Sequence, residues 1–169
     1  MDDIDKLKTF QAMAEVSRKW VTTLDAKAGF LVAINGALLA FIWTSAKLPD
    51  NILPLVKPLA YWASAFSLGS VLVALLTVFP RIKLNITPSV PHISFYAYVA
   101  KRYPTWDSER FVDDSMSMTE IDLAKEVLEQ HHAICHIAMI KNSMVTFAAR
   151  LWIISLTFTV FSVLFRMTG

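Results

Sequence analysis

The chain has 169 residues, 55% of them hydrophobic and 18% charged, with a mean hydropathy of +0.47, which excludes an ordinary soluble domain of this size and points to a membrane protein. Sixteen Lys and Arg stand against fourteen Asp and Glu for a net charge of +2, so the basic excess of a nucleic-acid-binding domain is missing and no polymeric nucleic acid is expected as a partner. So short a chain has no room for several spans and a large catalytic core as well, and the single cysteine, Cys135, excludes an intramolecular disulfide and suits polar parts facing the cytoplasm.

Residues 1–27 carry Asp2, Asp3, Asp5 and Glu15, unlike the basic start of a secretory signal or an acid-poor transit peptide. Leu7, Phe10, Ala14, Ser17, Val21, Leu24, Ala28 and Leu31 recur every three or four residues, which predicts an N-terminal helix whose apolar seam runs on into the first span. Residues 28–46 contain no charge and reach about 28 Å as a helix, close to a bilayer's hydrocarbon thickness. A loop over 47–58 leads to a second span at 59–79, opened by Pro58 and closed by Pro80, positions where proline is tolerated or stops a helix.

Residues 80–142 are read as a polar sensor region. Pro88, Pro91 and Pro104 make Asn85 to Asp114 irregular, with a short helix expected from Ile93 to Tyr103. Ser117 followed by Glu120 reads as a capping box that opens a helix from Met118 to Met167, free of Pro and Gly. Its expected seam is Ile121, Ala124, Leu128, His131, Cys135, Ala138, Asn142 and Val145. The third span, 143–165, is interrupted only by Arg150, and a tail at 166–169 follows.

Lys and Arg collect on the cytoplasmic side of membranes. Lys6, Lys8, Arg18, Lys19 and Lys27 precede the first span, and Arg81, Lys83, Lys101, Arg102, Arg110, Lys125 and Lys141 lie between the second and third; the other side has Lys47, Lys57 and Arg166. The N-terminus and residues 80–142 are therefore expected in the cytoplasm, with 47–58 and the tail outside. The fold expected is an all-α membrane protein with three transmembrane helices, the first and last extending as long helices that pack into a cytoplasmic stem.

Gly29, Ala33, Gly36 and Ala40 share one face of the first span, and Ala63, Ser67, Ser70 and Ala74 one face of the second. Small residues let helices approach closely in lipid, and intramolecular packing is the expected use, a subunit interface the other. Asn35 and Arg150 are polar within hydrocarbon. They either line a pore, or Asn35 bonds a neighbouring helix while Arg150 snorkels to the interface.

Asp25 and Lys27 stand at the start of the first span, Lys141 and Asn142 at the start of the third. With Lys19 they suit either a phosphate-binding site or a ring against lipid headgroups. Residues 92–111 mix Phe95, Tyr96, Tyr98, Tyr103, Trp106 and Phe111 with Lys101, Arg102 and Arg110, which suits a stacked nucleobase with its phosphate as well as an aromatic cap on the stem. His131, His132, Cys135 and His136 invite a metal reading, but the two i,i+4 pairs point about 100° apart, and no metal site is expected. No phosphate loop, activated nucleophile or paired-carboxylate centre is evident, and no enzyme is expected.

The run Leu24-Asp25-Ala26-Lys27-Ala28-Gly29 entering a span with Asn35-Gly36, the His92-Ile93-Ser94-Phe95-Tyr96 segment, and the late helix with His136 and Lys141-Asn142 resemble the transmembrane effectors of Pycsar antiphage systems, in order and spacing over nearly the whole chain. The resemblance implies a bacterial inner-membrane protein, not an enzyme, that is silent until a partner pyrimidine cyclase, triggered by phage, makes cyclic CMP or cyclic UMP. Binding that messenger, the effector impairs the membrane and stops the cell before phage spread. Asp25, Lys27 and Lys141 match the family's charged positions before the first and last spans.

With such a ligand, and no other cofactor, Lys19, Lys27, Arg102 or Lys141 is expected to neutralise the cyclic phosphate, with Tyr96 or Trp106 stacking on the base. Asp25, Asn35, Asn142 and Arg150 are expected at the membrane boundary or within it. A homo-oligomer is expected. The competing reading is a constitutive membrane scaffold or small channel subunit without a nucleotide ligand.

Overall fold

A computed structural model describes residues 3–44, 56–79, 89–94 and 96–168. Five helices account for most of them: α1 (Asp3–Thr44), α2 (Val56–Val78), α3 (Tyr96–Arg102), α4 (Ser108–Ser117) and α5 (Glu120–Thr168), with no strand among the described residues. The fold is all-α. Three helices, α1, α2 and α5, are long and apolar enough to cross a membrane. With 42 and 49 residues, α1 and α5 reach about 63 and 74 Å, more than twice the hydrocarbon thickness, so both run well beyond any bilayer. Most of the loop read at 47–58, and the segment 80–88, lie outside the described residues.

The chain divides into two compact units, one of residues 1–21 and 82–138, the other of residues 22–81 and 139–169. Both α1 and α5 contribute to each. In the first unit, Ala14 and Ser17 of α1 are buried and Leu7 and Phe10 half-buried, as the seam predicts, and α1 packs on α5 through Ser17 and Arg18.

The start of α5 differs from expectation. Met118 is extended and ends α4, while Thr119, not Ser117, caps α5: Asp122 N–H donates to Thr119 Oγ1 at 3.3 Å, and the Thr119 hydroxyl donates to Asp122 Oδ2 at 2.7 Å. This is a capping box two residues later than predicted. Ser117 instead donates to the carbonyl of Asp114 at 2.9 Å. The short helix expected from Ile93 to Tyr103 is α3, which begins later, at Tyr96, because Ile93 and Ser94 form bends; α4, in a stretch partly read as irregular, is an addition.

The seam of α5 also departs from its prediction. Ile121, Leu128, Cys135 and Asn142 are exposed, while Glu126, Gln130, Ala133, Lys141, Val145 and Ala148 are buried. The buried stripe contains three polar side chains, which a search for apolar periodicity passes over.

In the second unit the two small-residue faces part company. Ala63, Ser67, Ser70 and Ala74 of α2 are buried: Ser155 Oγ reaches the Ala63 carbonyl at 2.6 Å and Ser70 Oγ that of Ala148 at 2.8 Å, close approaches that small side chains allow. Gly29, Ala33, Gly36 and Ala40 of α1 are all exposed, and a Cβ at Gly29 or Gly36 would meet nothing within 4 Å. The expected packing within the chain therefore holds for α2 and not for α1. Ile42, Ala60 and Ala63 pack with Leu38 and Phe158, and Phe66 stacks on Phe158 at 5.7 Å.

Asn35 is fully buried. Its Nδ2 donates to the Leu31 carbonyl at 2.7 Å and to Ser70 Oγ at 3.0 Å, and its Oδ1 accepts from Ser67 Oγ at 2.8 Å. Of the two roles weighed for Asn35, bonding to a neighbouring helix is the one seen. Such bonds are worth about 0.6 kcal/mol each in membrane proteins.

Candidate functional site

The first unit is organised by a polar face of α5. Glu126, Glu129 and Gln130 lie three and four residues apart, hence on one side of the helix. Glu126 is 1% exposed, and a buried carboxylate is costly unless donors surround it. Four converge on its Oε1: the N–H groups of Ile93 (3.0 Å) and Ser94 (2.9 Å), the Ser94 hydroxyl (2.7 Å) and Gln130 Nε2 (2.9 Å). Gln130 Oε1 accepts in turn from Arg18 of α1 at 3.0 Å.

Glu129 repeats the device. It accepts from the N–H of Ser89 at 3.1 Å and from the Ser89 hydroxyl, and its other oxygen meets His92 Nε2 at 2.8 Å. Burial alone would raise its pKa, but the bonds from Ser89 and His92 outweigh burial and hold it below the usual glutamate value. The two carboxylates thus fix residues 89–94, the segment that leads into α3.

Beyond that segment the His92 ring meets Tyr98 at 5.2 Å. Tyr98 accepts a hydrogen bond from Arg102 at 2.9 Å, and the guanidinium lies 5.9 and 5.6 Å from the ring centroids of Tyr98 and Tyr103. The bond to Tyr98 keeps the Arg102 pKa above its ordinary value. Tyr103 is buried, donates to Asp114 Oδ2 at 2.7 Å and packs edge-on against Phe111 of α4. Burial first, then that bond, pushes its phenol pKa up. Arg102 lies 3.8 Å from Asp114, a loose pairing that leaves the exposed guanidinium able to take an anion.

The residues expected to hold a ligand are spread over both units. Arg102 sits in the aromatic group just described. Trp106 is 86% exposed. Tyr96 opens α3, but its side chain lies outside the described part. Lys19 is exposed and pairs with Glu15 at 2.8 Å. Lys27 and Lys141 belong to the second unit, where Lys27 is exposed and Lys141, 9% exposed, forms an ion pair with Asp25. Asn142 and Arg150 are exposed.

Glu126, Glu129, Gln130 and Arg18 were not singled out in the sequence. The available signal was acidic and amide side chains at i and i+4 in a helix otherwise read for apolar periodicity. His131 Nδ1 lies 3.1 Å from Ser17 Oγ, with Cys135 Sγ 3.7 Å from the same hydroxyl; His132 and His136 approach each other at 3.2 Å on the exposed side. Among the described residues no group of three or more His, Cys, Asp or Glu is placed to hold a metal ion.

An all-α chain with three helices able to span a bilayer and a polar helical unit braced by the carboxylates of Glu126 and Glu129 defines a multi-pass membrane protein with a helical extramembrane part. The family model described as Pycsar effector protein domain matches residues 9–168, and the chain belongs to that family: it is a membrane effector of antiphage defence. The family is one of effectors rather than known enzymes, working in a system with a partner cyclase. No curated protein and no solved structure matches the chain.

Proposed function

We propose that this effector sits in the bacterial inner membrane with its N-terminus in the cytoplasm, and that a cyclic pyrimidine mononucleotide, cyclic CMP or cyclic UMP, made by the partner cyclase activates it. The activated protein, a homo-oligomer, impairs the membrane and aborts the infection. Membership of the family supports the reading, and the surroundings of Arg102 favour it as the ligand-binding group. Its exposed guanidinium, flanked by Tyr98 and Tyr103 and only loosely paired with Asp114, is the group in the first unit best suited to a cyclic phosphate, with Trp106 nearby in sequence to stack on a base.

A ligand shifts a conformational equilibrium only by binding one state more tightly than the other. A phosphate at Arg102 competes with Asp114, and Asp114 also holds Tyr103, so occupancy bears on the contact between α3 and α4. Lys19, Lys27 and Lys141 are further candidates for the phosphate, and Tyr96 for the base.

The test is the melting temperature of the detergent-purified protein with cyclic CMP, cyclic UMP, cyclic AMP, cyclic GMP and a cyclic dinucleotide, because a ligand of the folded state raises it. A rise with one pyrimidine alone is expected. A flat response to all five would replace this reading with a constitutive scaffold or channel subunit lacking a nucleotide ligand.

A further inference from the structure

In the second unit, Ser143, Thr146, Arg150 and Thr157 of α5 are all exposed. At 100° per residue they fall within an arc of about 60°, on the side of the helix opposite the buried Val145, Ala148, Ser155, Thr159 and Ser162. The hydroxyls of Ser143 and Thr157 donate back to the carbonyls of Met139 and Ile153, which leaves their acceptor lone pairs outward. The Arg150 side chain makes no hydrogen bond or ion pair with the described residues.

Depth makes this row unusual. Asn35 lies ten residues beyond Asp25, about 15 Å, or half the hydrocarbon thickness. Ser70 bonds both Asn35 and the Ala148 carbonyl, so Arg150, two residues past Ala148, is near the same mid-membrane level. Lys141, paired with Asp25, is nine residues back along α5, about 13 Å, farther than an arginine side chain reaches by snorkelling.

Lipid tails strongly disfavour an unpaired guanidinium at that level. A dry two-fold contact centred on this face would oppose Arg150 to Arg150. Water satisfies both the cation and the hydroxyl row. The exposed small-residue face of α1, where nothing stands within 4 Å of a Cβ at Gly29 or Gly36, gives neighbouring copies a separate surface for close helix contact. We propose that the face of α5 from Ser143 to Thr157 lines a water-filled, anion-favouring path enclosed by several copies of this chain, with Arg150 as the cationic ring that selects the ion.

The inference rests on the reading that the effector impairs the membrane, and it is independent of which ligand triggers it. Thr146→Cys, Thr157→Cys and, as a lipid-facing control, Leu72→Cys on α2 (62% exposed) are placed singly in a Cys135→Ser background and reconstituted in liposomes. Each is treated with membrane-impermeant anionic and cationic methanethiosulfonates, without nucleotide and with cyclic CMP or cyclic UMP. In at least one of these conditions both α5 thiols are expected to react about tenfold or more faster than Leu72→Cys, with the anionic reagent favoured relative to its rate on a free thiol. Arg150→Glu is expected to reverse that preference. Thiols on α5 no more reactive than Leu72→Cys in all three conditions would overturn the lined path, and a reagent preference unmoved by Arg150→Glu would overturn its selectivity. Fast reaction that ignores both nucleotides would keep the path and remove nucleotide control; a nucleotide-raised melting temperature with silent α5 thiols would keep that control and remove the path.

Discussion

Ser94 donates twice to one oxygen of Glu126, through its N–H at 2.9 Å and its hydroxyl at 2.7 Å, across 32 positions of sequence. The carboxylate serves as the acceptor that α5 offers to a segment with no ladder or helix partner of its own, and Gln130 completes the arrangement from one turn away. A non-helical segment with bends and backbone donors to satisfy is thereby fixed to a helix by side-chain chemistry rather than by apolar burial.

Glu126→Ala is expected to destabilise the protein by about 2 kcal/mol, since the N–H groups of Ile93 and Ser94 lose a charged acceptor. Hydrogen exchange at those two amides should accelerate well before exchange in the middle of α5. Unchanged exchange at Ile93 and Ser94 would show that this carboxylate does not hold the segment.

Glu129 carries the pH dependence. Its folded pKa lies below the ordinary value of 4.5, so its contribution to stability is present above that pH and is lost as pH falls through the folded value. Glu129→Gln should flatten the acid limb of a melting-temperature profile below pH 4.5 and leave the neutral limb parallel to the parent's. An unaltered acid limb would assign the loss to other carboxylates.

Arg102→Ala is expected to weaken binding of the activating nucleotide about tenfold or more while leaving the ligand-free melting temperature within a few degrees, because a surface side chain is removed. Arg102→Lys should recover little, since an ammonium cannot reproduce the planar group between two tyrosine rings. Isothermal titration of both variants decides it; equal affinity in Arg102→Ala would take this residue out of the site.

Asn35→Ala removes bonds to Ser67 and Ser70 and should cost about 1 kcal/mol in a micellar unfolding titration. Combined with Ser70→Ala it should cost less than the sum of the two single changes, because the pair shares one bond. Strict additivity would mean that the Asn35 to Ser70 contact contributes nothing.

Gly36→Leu and Ala63→Leu enlarge small residues of the second unit with opposite expected results. The first points into open space and should leave the stability of the single chain unchanged; the second is fully buried and should cost about 1–3 kcal/mol through overpacking. If the α1 face meets a second copy, as we propose, Gly36→Leu should also reduce the oligomer fraction measured by light scattering in detergent.

Much of this architecture is legible from spacing. The seam of α1 from Leu7 to Leu31 reads directly because small and apolar side chains fill it, and the spans read from apolar runs, two without any charge and the third with Arg150 alone. On α5 the same method fails at Glu126, Gln130 and Lys141, whose burial depends on partners far away in sequence: Ser94, Arg18 and Asp25. Periodicity shows which residues share a face and not which way that face turns, so Gly29 to Ala40 and Ala63 to Ala74 look alike until neighbours are placed. Asn35 and Arg150 show the same limit, one turned inward to two serines and the other outward. The aromatic group of residues 92–111 was visible as composition, yet the choice of Tyr98 and Tyr103 as the rings that flank Arg102 came only with the fold.

In the second unit the buried stripe of α5 keeps one phase from Lys141 through Val145, Ala148, Ser155 and Thr159 to Ser162, with no Pro or Gly to absorb an offset. Inserting a single residue near Leu151 would rotate everything after it by about 100° relative to everything before. Ser155 would swing away from the Ala63 carbonyl, or else Lys141 would lose Asp25 and Ala148 its bond from Ser70. A four-residue insertion would turn the halves by only about 40°. Length variation along this helix is therefore restricted to steps close to whole turns, a constraint that acts on insertions and deletions even where single substitutions are harmless.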